Sequence, residues 1–149
     1  MIDSTDWQII TALQADARLS FTALGQQVGL SGPAVTERVR KLEAAGVIAG
    51  YSLQLDLAAL GANVAAFVQL TTSPQVYPQV HRLVEQTPEF LECHHLTGDA
   101  SFLIRVVARS LPHLEALLQR LSHYGPTQTA LVPFTPVPPK AVTAAIFEA

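Results

Sequence analysis

The feature that most constrains the fold is a very short connection between two segments with helical apolar spacing, Val28-Gly29-Leu30-Ser31. Glycine most easily takes the left-handed conformation that ends a helix, so Gly29 marks the end of the first segment. Ser31 is a preferred N-cap for the second segment, and Pro33 follows within its first turn, where a missing N–H is harmless. Two helices joined by so short a turn are typical of a helix-turn-helix.

The first fifty residues are predicted to be helical throughout. Asp3 is a good N-cap for a first helix, in which Trp7, Ile10 and Leu13 recur at helical spacing. Ser20 caps a second helix, which stops at the glycine of the short connection. The third helix has one apolar side, which is formed by Val35, Val39, Leu42 and Gly46. We expect this side to face the interior of a three-helix domain.

The opposite face of the third helix is the candidate DNA-binding surface, because a recognition helix must enter a major groove about 12 Å wide. The residues assigned to this surface are Ser31, Pro33, Thr36, Glu37, Arg38, Arg40 and Lys41. Ser31 and the helix N-terminus offer groups suited to a phosphate, while Arg38 flanks the buried side. Residues 1–50 carry four basic against five acidic side chains, so any attraction to DNA must be local. The alternative is a plain three-helix bundle with a solvated face.

The pattern changes after residue 50. Residues 51–62 are predicted to form a linker, either extended or a strand, that bridges to a second domain. From residue 63 to 136 the chain falls into two similar strand-helix-strand halves. The predicted strands are 63–72, 89–97, 100–109 and 126–134, and the predicted helices are 75–86 and 111–123. This β-α-β-β-α-β order is the ferredoxin-like arrangement. Residues 137–149 remain as a C-terminal tail, of which 141–149 carry no structural assignment.

The predicted sheet has apolar residues on both faces. A ferredoxin-like sheet carries helices on one face only, yet Phe67 and Leu103 would point to the open face of their strands. Strands that are apolar on both sides are typical of sheets covered on both sides, and proteins in water rarely expose such a patch. We therefore expect the open face to pack on a second copy of the chain.

Two stretches of the first domain resemble the Lrp/AsnC family, the leucine-responsive and asparagine-responsive regulators. They are Asp3-x-x-Asp6-x-x-Ile9-Ile10-x-x-Leu13-Gln14-x-Asp16-x-Arg18 and Leu30-Ser31-x-x-x-Val35-x-x-Arg38-x-x-x-Leu42-Glu43-x-x-Gly46-Val47-Ile48-x-Gly50-Tyr51. The second domain is similar to the effector module of that family, with Glu92-Cys93 followed by Thr97-Gly98-Asp99. The resemblance covers nearly the whole chain.

The resemblance implies an α+β fold. A helix-turn-helix (winged-helix-like) DNA-binding domain, residues 1–50, would precede a ferredoxin-like βαββαβ effector-binding and oligomerisation domain, residues 63–136. It further implies a transcriptional regulator that binds double-stranded DNA at a pseudo-palindromic operator. Such a regulator forms a homodimer that assembles to a tetramer or octamer, and it responds to a small-molecule effector such as an amino acid.

The resemblance also implies an effector site at the turn between the second and third strands. The residues assigned to it are Thr97, Gly98, Asp99, Ser101 and Thr129. The family usually carries a second acidic residue where Ser101 stands, and a neutral hydroxyl there would hold an ammonium group less well. We therefore expect a weak amino-acid response or a less cationic metabolite.

Other functional classes find less support in the residues. His94 and His95 would point to opposite faces of a strand, so Cys93-His94-His95 is not expected to bind a metal. No catalytic residues and no cofactor are predicted, so we do not expect an enzyme. Two alternatives stay open, a tetrapyrrole (sirohaem-type) decarboxylase on the same scaffold and an architectural DNA-binding protein without a ligand. The acidic N-terminus lacks the pattern of a signal peptide, which favours a cytoplasmic location.

Overall fold

The computed structural model describes residues 2–147 and divides into two compact units. The first unit comprises the chain up to Gln54 together with the segment from Val137 onward, and the second runs Leu55–Pro136. The first unit is built from helices, and the second contains a four-stranded sheet together with helices. The predicted α+β class is therefore confirmed. The C-terminal tail joins the first unit, a placement that the sequence did not predict.

Three helices form the first unit, α1 (Ser4–Ala15), α2 (Phe21–Val28) and α3 (Gly32–Ala44). Each predicted N-cap is confirmed. The Ser20 and Ser31 hydroxyls accept hydrogen bonds from backbone N–H groups in the first turns of α2 and α3. Asp3 forms a capping box, in which its carboxylate accepts from the Asp6 N–H and the Asp6 carboxylate accepts from the Asp3 N–H.

The turn between α2 and α3 depends on two glycines. Gly29 has a φ of 71°, the predicted left-handed C-cap. Gly25 lies so close to the next segment that a Cβ atom there would be 2.5 Å from the Leu30 carbonyl oxygen. Any side chain at residue 25 would therefore force the two helices of the helix-turn-helix apart.

The core of the first unit contains the apolar side predicted for α3, except at its end. The buried residues are Ile9, Leu13, Leu24, Val35, Val39 and Leu42. Gly46 was expected on this helical side but lies beyond the end of α3, where its positive φ of 71° reverses the chain. Residues 45–63, all of which the structure describes, form turns and extended chain without a strand, so no β wing follows α3.

The second unit contains a four-stranded antiparallel sheet and two helices. Its elements are β1 (Val64–Leu70), α4 (Tyr77–Glu85), β2 (Phe90–His95), β3 (Phe102–Ala108), α5 (Leu111–Ser122) and β4 (Thr127–Leu131). The strand order is β2-β3-β1-β4, which confirms the ferredoxin-like arrangement. Every predicted strand is longer than the observed one, and a 3₁₀ turn at Pro74–Val76 precedes α4 where the helix was expected to begin.

The two faces of the sheet differ in composition. On one face, Val68 on β1 and Ile104 on β3 are fully buried in a core that α4 and α5 complete. On the other face Phe67 is 37% exposed and pairs in register with Arg105. The open face therefore carries apolar residues as predicted, but Arg105 and its ion-pair partner Glu92 lie within it. None of the described helices is long and apolar enough to cross a membrane.

Candidate nucleic-acid interface and effector turn

The predicted DNA-binding surface is the exposed side of α3. Thr36, Glu37, Arg40 and Lys41 are all exposed there, opposite the buried Val35, Val39 and Leu42. Pro33 is exposed in the first turn, and the neighbouring Ser31 hydroxyl caps the Ala34 N–H at 3.4 Å. The exposed side of the helix thus presents the charges of Glu37, Arg40 and Lys41, while the Thr36 hydroxyl donates to the Gly32 carbonyl at 2.9 Å.

Glu37 binds both cations of this surface. Its carboxylate accepts two hydrogen bonds from Arg40, from Nε and Nη2, each at 3.2 Å. The Lys41 Nζ lies 3.7 Å from the same carboxylate. The hydrogen bonds from Arg40 are the main reason that the pKa of Glu37 lies below its ordinary value. Glu37 therefore stays ionised and offsets part of the positive charge that would face a phosphate backbone.

Arg38 does not lie with the other cations of α3. Its Nη1 donates to the carboxylates of Asp3 and Asp6, with both N–O distances at 2.7 Å. These contacts raise the pKa of the Arg38 guanidinium. The pKa of Asp3 is lowered, first by the Asp6 N–H and then by Arg38. Arg38 thus ties α3 to the capping box of α1, and the DNA contact predicted for it stays a prediction.

The predicted effector turn is the connection between β2 and β3. Thr97, Gly98 and Asp99 are exposed at its tip, and Gly98 has a positive φ of 109°. Ser101, in contrast, is only 8% exposed. Its hydroxyl accepts from the Thr72 N–H at 3.0 Å and donates to the Thr72 carbonyl at 2.9 Å. The Ser101 hydroxyl is therefore occupied by the backbone, and we assign it a positioning role in place of the predicted ligand contact.

The end of β1 lies beside this turn, which the sequence reasoning missed. The Thr71 hydroxyl donates to the Asp99 carbonyl at 3.4 Å. The Thr72 hydroxyl donates to the Tyr124 carbonyl at 2.5 Å, so the connection between α5 and β4 reaches the same end of the sheet. The signal in the sequence was the pair of threonines that follows the first apolar strand. Thr71 thus joins the exposed tip of the turn as a candidate effector contact.

Thr129 is separated from the turn by the strand register. On β1, Leu70 pairs with Phe102 on one side and with Thr127 on the other. Thr129 pairs with Val68, which precedes Leu70 by two residues in β1 and lies farther from the turn. Of the two threonines in the predicted Thr-x-Thr segment, Thr127 therefore lies nearer to the candidate site.

A small cavity of about 270 Å³ lies between α4 and the helix-covered face of β2, and His81, Cys93, His95 and Phe102 line part of it. Burial raises the pKa of the Cys93 thiol. His81 and His95 each approach the ring of Phe102 edge-on, with ring centroids 5.4 Å apart. Within residues 2–147, no three His, Cys, Asp or Glu side chains are grouped so that they could hold a metal ion. His81 and His95 instead pack on Phe102, an aromatic residue of the core.

Comparison with known proteins matches both units to one family. The AsnC-type helix-turn-helix domain matches residues 2–43, and the Lrp/AsnC ligand binding domain matches residues 65–141. The transcriptional regulator LrpC of Bacillus subtilis is 34% identical over 131 residues, covering 88% of this chain and 91% of the relative. The leucine-responsive regulatory protein of Escherichia coli is 34% identical over 138 residues, covering 88% and 84%.

Solved structures agree with these matches. The structure of Bacillus subtilis LrpC has a TM-score of 0.88 at 34% identity and covers 94% of this chain and 99% of its own. A transcriptional regulator of Neisseria meningitidis in complex with L-methionine has a TM-score of 0.91 and covers 99% of both chains. Its identity is 24%, so this second likeness concerns the fold alone.

Proposed function

The chain belongs to the Lrp/AsnC family of DNA-binding, metabolite-responsive transcriptional regulators, and we propose that it reads a specific pseudo-palindromic operator under the control of an amino acid or a related metabolite. The observation that carries this proposal is the exposed side of α3, where Arg40 and Lys41 project from a capped helix of a helix-turn-helix. We place the DNA-binding domain at residues 1–50, the linker at 51–62, the effector domain at 63–136 and the tail at 137–149.

On this proposal α3 is the recognition helix. Arg40 and Lys41 contact phosphates or groove edges, and Thr36 and Glu37 lie where base edges would be. Glu37 accepts from the exocyclic amine of a cytosine while its carboxylate still offsets part of the positive charge of Arg40 and Lys41. Ser31, Pro33 and the N-terminus of α3 approach the backbone of the duplex.

A dimer follows from the open face of the sheet. On this face Phe67 and Leu91 are exposed and Leu103 is half-buried, and burial against a second copy removes their apolar surface from water. Arg105 and Glu92 form an ion pair of 2.7 Å on the same face, so their charges enter the interface already paired. Tetramers or octamers then form from dimers, by analogy with the family.

The effector is proposed to bind at the tip of the turn between β2 and β3. Backbone N–H groups near Gly98 receive a carboxylate, and the Asp99 side chain pairs with an ammonium group. Thr97 and Thr71 supply hydroxyls, and Thr129 remains a more distant member of the site. Regulation requires that the effector bind one assembly state more tightly than another, because equal affinities shift nothing.

Selection from a random library of duplexes tests the proposed operator. The enriched sequences should be pseudo-palindromes whose half-sites lie about 10 bp, or a multiple of this, apart. The matched control is Arg40→Ala, which should lose the enrichment without a change in melting temperature, because Arg40 is exposed. Equal recovery of all sequences by the wild type would contradict sequence-specific binding and favour the architectural alternative.

We further propose that the protein is not an enzyme and needs no cofactor. The relatives are named as transcriptional regulators, and Glu92 of the sheet pairs with His94 and Arg105 while His95 packs on Phe102. We also propose a location in the cytoplasm, in keeping with double-stranded DNA as the proposed partner. An assay of tetrapyrrole decarboxylation with the purified protein would reveal the alternative activity.

A further inference from the structure

The C-terminal segment is bonded to α1 through a reciprocal pair of hydrogen bonds. The Gln14 side chain donates from Nε2 to the Val142 carbonyl at 2.8 Å. The Val142 N–H donates back to the Gln14 Oε1, also at 2.8 Å. A carboxamide matches a peptide group in this way only when both are held in one plane and one orientation. Gln14 therefore recognises the backbone of a residue 128 positions away along the chain.

A second contact lies on the same face of α1, about two helical turns nearer its N-terminus. The rings of Trp7 and Phe147 stack with centroids 5.6 Å apart and an angle of 26° between their planes. Between the two contacts the segment forms a 3₁₀ turn at Ala144–Ile146. The segment thus follows α1 with an anchor at each end, in the part of the chain that the structure describes.

These anchors are close to water. Val142 is 45% exposed and Phe147 is 67% exposed, and Gln14 is exposed as well. Along the edge of the segment, α1 and residues 47–54 line a cavity of about 940 Å³, of which Val142 and Phe147 form one wall. Contacts that bury so little surface are weak enough to open and close reversibly.

The path of the chain brings this segment back to the unit in which the chain began. The chain leaves the helix-turn-helix unit at Gln54, forms the whole effector unit, and returns to the first unit at Val137. We propose that residues 137–147 are a strap that closes on α1 and thereby raises the affinity of the helix-turn-helix for DNA. A unit tied at two points has fewer orientations to lose when it docks on a duplex, so closure reduces the entropic cost of binding. This inference rests on the proposed DNA-binding function.

The single tryptophan of the chain, Trp7, reports directly on strap closure. The variants to compare are Gln14→Ala, a chain that ends at Lys140, and the combination of both, with Gln8→Ala as the control on an exposed glutamine of the same helix. Truncation should shift the fluorescence emission maximum of Trp7 toward that of a tryptophan in water. Gln14→Ala should shift the emission maximum part of the way. In the truncated chain Gln14→Ala should change nothing further, because its partner is gone. Unchanged emission on truncation would overturn the strap.

DNA affinity then tests the consequence of closure. Because Gln14→Ala loses two exposed hydrogen bonds, each at the lower end of the usual energy range, its affinity for the operator should fall about fivefold. Gln8→Ala should bind like the wild type. Equal affinities of these two variants would show that closure does not aid binding. A wild type that binds no duplex at all contradicts the proposed function instead, and the tryptophan series still decides whether the strap closes.

Discussion

Glu37 limits the positive charge of the recognition helix, and its replacement by glutamine tests how that helix meets DNA. In the free protein the carboxylate binds Arg40 through two hydrogen bonds and lies 3.7 Å from Lys41. One of the two cations is therefore offset in each helix-turn-helix unit. Glu37→Gln removes the negative charge, keeps the size of the side chain, and leaves both cations available to phosphates. We expect tighter binding to all duplexes at low salt and weaker discrimination at the base pair that Glu37 faces.

The magnitude follows from counterion release. If each wild-type unit neutralises one phosphate and the variant neutralises two, the slope of log K against log salt changes for a dimer from about −1.8 to about −3.6. Between about 50 and 200 mM salt, the affinity of the wild type then falls about 12-fold and that of Glu37→Gln about 150-fold. Fluorescence anisotropy of a labelled duplex across this range measures both slopes.

Glu43→Gln is the matched control for Glu37→Gln. It removes the same charge from the same helix, but the Glu43 carboxylate accepts from the Tyr51 hydroxyl at 3.0 Å, whereas the described hydrogen bonds of the Arg40 guanidinium go to Glu37. A general effect of net charge would change both slopes equally, whereas the proposed contact changes only that of Glu37→Gln. Identical slopes for Glu37→Gln and the wild type would refute the idea that this side of α3 meets the phosphate backbone.

Three further predictions concern stability and assembly. The Asp6 N–H and Arg38 lower the pKa of Asp3 below its ordinary value of 3.8. The ionised Asp3 carboxylate therefore stabilises the fold above pH 3.8, and this stabilisation is lost as the pH falls through the lowered pKa. Asp3→Asn keeps the cap, so its melting temperature should fall less than that of the wild type between about pH 5 and pH 3; parallel curves would contradict this. Phe67→Asp should give the light-scattering mass of one chain, since the interface would bury an unpaired charge, and a surviving dimer would exclude this face. Ser101→Ala should lower the free energy of unfolding in urea by about 1–3 kcal/mol, because Thr72 loses a partner for its N–H; an effect as small as that of an exposed threonine-to-alanine change would contradict the positioning role.

Local signals in the sequence were sufficient for most of the fold. The caps at Asp3, Ser20 and Ser31 and the glycine at position 29 specify where helices begin and end, because these preferences act within one turn. The two strand-helix-strand halves followed from apolar periodicity alone. Boundaries were less accurate, since Thr71 and Thr72 continue an extended chain that no longer pairs as a strand.

The roles of individual site residues depend on contacts that sequence spacing does not reveal. Helical geometry placed Arg38 at the edge of the DNA-binding surface, but its partners Asp3 and Asp6 lie more than thirty residues earlier in the chain. Ser101 occupies a turn where a hydroxyl can face either a ligand or the backbone, and the end of β1 decides for the backbone. The docking of the tail on Gln14 is more distant still in sequence. Each of these contacts joins elements that only the tertiary fold brings together.

The low charge of one helix-turn-helix unit and the apolar face of the sheet have a common consequence. With Glu37 offsetting one of its cations, a single unit gains little affinity from counterion release. In the proposed dimer, two units joined through the sheet would bind the second half-site at a high effective concentration, which multiplies affinity by about 10²–10⁴ without a new contact. DNA binding by this chain then depends more on how many units act together than on the strength of each. An effector at the turn between β2 and β3 therefore needs only to favour one assembly state in order to control the operator.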